Sequence, residues 1–301
     1  MTDFKLPQID TSISPEIHGF FDPATFTISY IVKDPDSDIC AVVDSVMDID
    51  YASGTITYAH ADTLIAFITE RNWKLEWLIE THVHADHLSA APYIQETLGG
   101  KIGIGAPVKQ VQEIFGKVFN EGTEFQRDGS QFDALFEDGD IYSIGGLEAQ
   151  VMHTPGHTPA CMTHVIGSAA FVGDTLFMPD GGTARADFPG GDARELYQSI
   201  KRILSLPDDL RLFMCHDYGP NGREIQWQTT VGEERQNNIH VREGISEDDF
   251  VAMREARDKT LEMPKLIMPS IQVNMRAGHL PPADTQGTVY LKVPVQDMRR
   301  K

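Results

Sequence analysis

The stretch Thr81-His82-Val83-His84-Ala85-Asp86-His87 places three imidazoles and one carboxylate in positions 82–87, directly behind an apolar run at 75–79. Three of the chain's eleven histidines sit there. Mixed imidazole and carboxylate donors suit Zn, Fe, Mn or Ni better than Ca or Mg, which prefer oxygen alone. A plainer reading makes this a polar loop in which Asp86 caps a helix beginning at His87. That reading leaves the other two histidines without a task. Three more donors follow later apolar runs. His157 lies in His153-Thr154-Pro155-Gly156-His157-Thr158, behind 147–152. Asp174 follows 169–172 and Gly173, a residue that permits close backbone approach, and His216-Asp217 follows 212–215. One post-strand Asp is usually a turn or cap residue. Four strand exits carrying His or Asp are expected to converge at one edge of a layered fold.

The elements that must position these residues follow from residue pattern. Residues 26–32 alternate and are β-branched, a strand; 34–38 is a turn by composition, and 39–44 is the returning strand. The stretch 48–54 reads as a loop, 61–71 as a helix with Leu64, Ile65, Phe67 and Ile68 on one face, and 75–79 as a buried strand. A helix runs from the histidine loop to about residue 95 and closes at Gly99-Gly100. A strand at 101–105 follows, then a helix opened by Pro107 at its permitted first turn. Short strands are expected at 141–144, 147–152, 161–166, 169–172 and 211–215, with a helix at 192–204. Beyond Asp217 the pattern weakens to a charged amphipathic helix, 247–261, and a proline-rich irregular stretch, 263–294. The order β-rich, α, β-rich, α fits two packed sheets flanked by helices, an α/β arrangement. No repeat or linker divides the chain, so 1–301 is expected to be one domain.

Composition narrows the partners. The net charge is −20 over 301 residues, spread along the chain, and would repel phosphate backbones; nucleic acid is not an expected partner. Cys40, Cys161 and Cys215 are widely spaced without a CxxC, which fits a reducing compartment and no disulfide frame. The N-terminus lacks a signal pattern, and no apolar run reaches the roughly 20 residues of a membrane span. The expectation is a cytoplasmic protein with no membrane contact.

In their order, HxHxDH, TPGHT, GDTLF and a late strand ending in His resemble the metallo-β-lactamase superfamily. That resemblance implies an αββα sandwich of two mixed sheets flanked by helices. Its core would be about residues 20–220, with a C-terminal extension at 221–301. Within the superfamily the chain is similar to the persulfide (sulfur) dioxygenases of the glyoxalase II-like branch, in a bacterial β-lactamase-like subgroup. The carrying residues are 81–88, 156–163, Arg185-Ala186-Asp187-Phe188 behind Gly173-Asp174-Thr175-Leu176-Phe177, the loop 44–57 and the tail 267–278. The resemblance implies one Fe(II) per chain held by His82, His157 and Asp174, which are also the catalytic groups. Such a facial triad leaves positions open for substrate sulfur and O2. The implied reaction takes glutathione persulfide, O2 and water to sulfite and glutathione, the substrate itself supplying the electrons. His84, Asp86, His87 and His216 would then support the ligands from behind, a role worth about 10–100-fold in affinity or activity. They could equally complete a site for two Zn ions, the glyoxalase II-like alternative, in which an activated water hydrolyses S-acylglutathione thioesters. The segment Arg185-x-Asp187-Phe188 favours the dioxygenase, since glyoxalase II typically carries a Gly-x-Gly-Arg-Phe-Phe-like run there. The lead-in Pro179-Asp180-Gly181-Gly182-Thr183-Ala184 departs slightly from animal and plant dioxygenases.

Glutathione's two carboxylates require local cations on so acidic a chain. Arg185, Arg223 and Arg276 are the candidate substrate contacts, with Asp187 of the same motif and Tyr218 as a hydroxyl donor. Cys161 reads as a small buried residue rather than a persulfide carrier. His18, His60, His153, His164, His240 and His279 read as structural or surface residues. The 247–261 helix is expected to pack on the domain or on a second copy in a homodimer. With no sulfurtransferase module attached, a separate sulfurtransferase would supply the persulfide.

Overall fold

The computed structural model describes residues 7–295 and Asp297. The first half of the chain builds a sheet from β1 (Glu16–Asp22), β2 (Thr27–Lys33) and β3 (Ile39–Val43), a small hairpin of β4 (Val46–Asp50) and β5 (Thr55–Thr57), then α1 (Ala59–Glu70) and β6 (Lys74–Ile79). Next come the two-residue strand β7 (Leu88–Ser89), α2 (Ala91–Leu98), β8 (Lys101–Gly105), α3 (Val108–Val118) and β9 (Ala134–Phe136). The second half supplies β10 (Ile141–Ile144), β11 (Leu147–His153), β12 (Met162–Ile166), β13 (Ala169–Phe171), α4 (Ala193–Ile203), β14 (Arg211–Phe213) and β15 (Gln228–Thr230). Three helices close the chain: α5 (Val231–Asn237), α6 (Glu247–Asp258) and α7 (Ile267–Asn274).

Two six-stranded sheets result, in the orders β1-β2-β3-β6-β8-β9 and β10-β11-β12-β13-β14-β15, with β5-β4-β7 as a small third sheet. Both large sheets are mixed: β3, β6, β8 and β9 run parallel while β1, β2 and β3 pair antiparallel, and β13 and β14 are the parallel pair of the second sheet. Every residue of β2 is buried, because both faces of the strand are covered. Ile28, Tyr30 and Val32 point into the core between the sheets, against Phe171, Phe213 and Val151. Ile31 belongs to the outer core with Leu64, Ile94, Val111 and Phe115 of α1, α2 and α3. The second sheet's outer face packs Val165, Ala170 and Leu212 against Leu196, Ile200 and Phe250 of α4 and α6. This is the four-layer αββα arrangement.

Several expectations need correction. Residues 48–54, expected as a loop, contribute to the β4–β5 hairpin, whose strands pair Asp48 with Thr57 and Asp50 with Thr55. The 263–294 stretch is not wholly irregular: α7 lies within it, with Pro269 in the first turn, where its missing N–H costs nothing. The helix after the histidine loop starts only at Ala91, with Ala90 at its N-cap, so Asp86 caps nothing. β1, β9, β15 and α5 are further elements that the residue pattern did not reveal.

Candidate metal centre

The histidine loop leaves β6 at one end of the sandwich, where β3, β11, β13 and β14 also end. Asp44, one residue past β3, adopts a left-handed backbone with φ of 52° and is 2 % exposed. Its Oδ1 accepts from the Thr81 N–H at 2.8 Å and from His84 Nε2 at 2.9 Å, and its Oδ2 accepts from Thr81 Oγ1 at 2.8 Å. Since the Thr81 hydroxyl spends its proton on Asp44, His82 Nδ1 must donate to Thr81 Oγ1 at 3.0 Å. His157 Nδ1 donates to the Arg185 carbonyl at 2.7 Å, and His216 Nδ1 to the Phe26 carbonyl at 3.2 Å. Each of these rings therefore spends one nitrogen on the protein and keeps the other as a lone pair. His82 Nε2, His84 Nδ1, His87 Nε2, His216 Nε2 and Asp174 Oδ1 are all buried without a hydrogen-bond partner.

Those orphaned atoms fall into two donor sets. His82, His157 and Asp174 form one, and His84, Asp86, His87 and His216 form the other; within each set the ligand atoms lie within 4.8 Å of one another. Asp174 stands between them. Its Oδ2 is 3.5 Å from His157 Nε2 and 3.9 Å from His82 Nε2, while its Oδ1 is 3.4 Å from His216 Nε2. Asp86 Oδ2 lies 3.0 Å from His216 Nε2. Buried donors left without protons or partners cost free energy unless a cation satisfies them, so the residues present fit one metal ion or two. Gly173 makes the approach of Asp174 possible: its φ is 52°, and a Cβ there would meet Thr81 Oγ1 at 2.7 Å.

Electrostatics agree with that donor chemistry at His82 and His87, whereas at His84 and His216 the neighbouring carboxylates raise the pKa, so a cation binding there would have to displace a proton. Burial, reinforced by the neighbouring imidazoles, pushes His82 well below its usual range, and burial brings His87 down to about 4. Both rings are neutral, as ligands must be. Burial opposes charge on His84, yet the Asp44 and Glu80 carboxylates override it and raise its pKa. Burial likewise works against ionised Asp86, but His216 and His87 hold its carboxyl far below the carboxylate range. Glu80, pushed up by burial, accepts from Ser89 Oγ at 2.6 Å and stands 3.4 Å from His84 Nε2.

A cavity of about 600 Å³ opens over the site. His157, Asp174, Asp86, Phe177, Arg185 and Tyr218 line one side, and α6 with the segment behind it lines the other. Of the substrate candidates, Arg185 and Tyr218 reach this cavity. Arg185 is held by Asp187 (2.6 and 2.8 Å) and the Glu262 carbonyl (2.7 Å), over the Phe188 ring. Asp187 is thus that arginine's partner, outside the lining. Arg223 and Arg276 correct the expectation. Arg223 is committed to Asp180 and Asp217 beside a different surface depression. Arg276 is buried, paired with Glu121 at 3.0 Å and stacked on Phe125. The cavity instead presents Arg257 and Lys265, whose side chains have no ion pair or hydrogen bond among the described residues. Cys161 is buried, its thiol pushed up to about 12 by burial.

Asp44 and Glu80 went unnoticed as site residues. Asp44 carried the same strand-exit signature as the other donors, whereas Glu80 adjoined the motif without any spacing of its own. Arg254 and Asp258 of α6 left no signal: Arg254 Nη1 donates to the Thr183 carbonyl at 2.9 Å and Asp258 Oδ2 accepts from the Ala186 N–H at 2.9 Å. They brace the segment whose Arg185 carbonyl orients His157.

The sandwich and its edge cluster define a class of metal-dependent enzymes. Residues 23–216 match the Metallo-beta-lactamase superfamily model, and the chain belongs to that superfamily. Among relatives, it is 58% identical to a probable metallo-hydrolase of Burkholderia pseudomallei, covering 93% of this chain and 98% of that one. It is 44% identical to Glyoxylase B2 of Dictyostelium discoideum (95% and 98% covered) and 29% identical to the mitochondrial persulfide dioxygenase ETHE1 of Homo sapiens (87% and 88%). Beta-lactamase hydrolase-like proteins at 49–51% identity are longer, and the chain spans 65% of their length. Among solved structures, ETHE1 from Myxococcus xanthus matches with a TM-score of 0.71 at 26% identity, over 88% of this chain and all of that one. No helix among the described residues is long and apolar enough to cross a membrane.

Proposed function

We propose that this enzyme is a persulfide dioxygenase, converting glutathione persulfide, O2 and water to glutathione, sulfite and two protons. The observation that carries the reading is the wiring of the Arg185-x-Asp187-Phe188 segment into the triad. Its Arg185 carbonyl holds His157 Nδ1, its Phe188 ring packs against the His157 ring at 5.3 Å between centroids, and Arg185 lines the cavity. The likeness to the Myxococcus xanthus structure supports the same reading. Fe(II) held by His82, His157 and Asp174 would supply open positions for the persulfide sulfur and for O2. The residues' own work is to keep the lone pairs of His82 and His157 converging on Asp174, through Thr81, which Asp44 holds, and through the Arg185 carbonyl. Cavity walls of Phe177, Phe188 and Leu261 limit water, and Arg257 with Lys265 face the carboxylates of the glutathione moiety.

A second reading, thioester hydrolysis at two Zn ions, is favoured by specific observations: the filled second donor set and the higher identity to relatives named as hydrolase and glyoxylase. By identity alone the comparisons weigh toward this second reading. Those names describe their own proteins; residues 185–188 belong to this chain, and they are what supports the dioxygenase reading. The test is anaerobic loading with Fe(II), then oxygen uptake with glutathione persulfide beside hydrolysis of S-lactoylglutathione. Zn binds such sites more tightly than Fe(II), so the metal must be assayed with the activity. Oxygen uptake with sulfite formation supports the dioxygenase. Hydrolysis without oxygen consumption reverses the order.

A further inference from the structure

The C-terminal helix α7 ends against the histidine loop, and its last residue grips that loop from behind. Asn274 is 4 % exposed. Its Nδ2 donates to the His84 carbonyl at 2.9 Å and to the His87 carbonyl at 2.7 Å, and its Oδ1 accepts from the Ser89 N–H at 2.8 Å. Two carbonyls and one N–H allow only one orientation of the amide. All three partners are buried backbone groups bracketing His84, Asp86 and His87.

The helix carrying this amide is itself pinned. Gln112 of α3 donates to the Met275 carbonyl at 3.0 Å, and Arg276 pairs with Glu121 at 3.0 Å and donates to the Gln272 carbonyl at 2.7 Å. Gly278, with φ of 84°, lets the chain press onto the loop's exit, where a Cβ would meet Pro92 Cδ at 2.6 Å and the Ser89 carbonyl at 2.9 Å. Arg276, expected at the substrate, is part of this anchorage.

We propose that Asn274 is a positioning residue for the metal centre: it fixes the backbone spacing between His84 and His87, and so the convergence of His84 Nδ1, Asp86 and His87 Nε2. The extension beyond residue 220 is then a working part of the metal site. The assignment rests on a metal at the cluster: in the two-ion reading these donors are ligands, and in the dioxygenase reading they support the triad's ligands from behind.

The test uses the full chain, stripped of metal and titrated with Co(II) against a chromophoric chelator. The Co(II) ligand-field absorption and apo-protein melting are read alongside. Asn274→Ala is expected to weaken Co(II) binding about 10–100-fold, the range for residues that orient ligands, and to change the ligand-field bands. Val273→Ala, a buried core position on the same turn, is the comparison. It should lower the melting temperature yet leave affinity within about threefold and the bands unchanged. Should Asn274→Ala not fold, Asn274→Ser, which keeps a polar group there, is read in its place. Equal loss of affinity in the Val273 and Asn274 variants at matched loss of stability would overturn the proposal, as would unchanged bands in the Asn274 variant. Wild-type protein that takes up no Co(II) would overturn the metal centre itself and this assignment with it.

Discussion

Asp44→Asn isolates the negative charge behind the histidine loop. The amide matches the carboxylate in shape, so its Oδ1 can still accept from the Thr81 N–H and from His84 Nε2, at 2.8 and 2.9 Å in the native protein. The Nδ2 that replaces Oδ2 obliges the Thr81 hydroxyl, now donating at 2.8 Å, to accept instead. The geometry survives and the charge is lost. A hydrogen bond to a charged group contributes about 1.5–3 kcal/mol against roughly 1 kcal/mol for a neutral one. The support behind His84 therefore weakens by about 0.5–2 kcal/mol, and metal affinity should fall about 2–30-fold. Chelator competition with Co(II) or Zn(II) on the apo-protein measures this directly, with circular dichroism showing that the fold is kept. Asp44→Ala should be worse, since it strands two buried donors of Thr81 at about 1–3 kcal/mol each. An Asp44→Asn protein binding metal within twofold of wild type would refute the reasoning, for then the charge does nothing through His84.

Four further outcomes follow from the same geometry. His157→Ala should abolish iron retention and oxygen uptake, while His216→Ala should keep most of the metal; complete loss in His216→Ala, by metal analysis, would favour the two-ion site. Arg257→Ala with Lys265→Ala should raise KM for glutathione persulfide several-fold, at roughly 0.5–1 kcal/mol per exposed contact, with kcat unchanged. An unaltered KM would remove both from substrate binding. Glu234 is fully buried and its carboxyl is pushed up to about 8 by burial; its protonated fold is at full advantage below the unfolded carboxyl pKa and loses ground as pH rises through 8. Glu234→Gln should accordingly stabilise the protein by roughly 2 kcal/mol near pH 6 and about 4 kcal/mol near pH 8, with no gain near pH 4.5, in denaturant titrations. Gly173→Ala should weaken metal binding, because a Cβ at that left-handed position meets Thr81; unchanged affinity would show that the turn shifts freely.

The β strands inside the sandwich were readable from residue type, β2 by the β-branched alternation at 26–32 and β6 by the apolar run at 75–79. The strands of the β4–β5 hairpin were not, since Asp48 and Asp50 sit in strand positions that face other residues or solvent, so composition there imitates a loop. α7 was hidden by Pro269, a residue that breaks helices everywhere except in the first turn, which is where it falls. Among substrate cations, sequence pointed to Arg223 and Arg276 by type alone. Whether an arginine is free depends on acids far along the chain, here Asp180, Asp217 and Glu121.

The donors and the residues that hold them differ in how they announce themselves. A donor must sit at a strand exit, because only there do several strands bring loops to one point, and that constraint prints itself as an apolar run followed by His or Asp. Asp44 obeys it too, behind Val42 and Val43, and could have been found on that ground. Asn274 obeys no local rule: it reaches carbonyls 190 and 187 residues earlier in the chain, and any backbone carbonyl would have looked the same from its side. The two oxygens of Asp174 join the two donor sets in one side chain. Oδ2 faces the His82–His157 pair and Oδ1 faces His216, so the fold offers both donor sets at once. Which set is filled then depends on the relative metal affinity of two clusters whose imidazoles are steered by different groups: Thr81 and Arg185 on one side, Asp44 and Asn274 on the other.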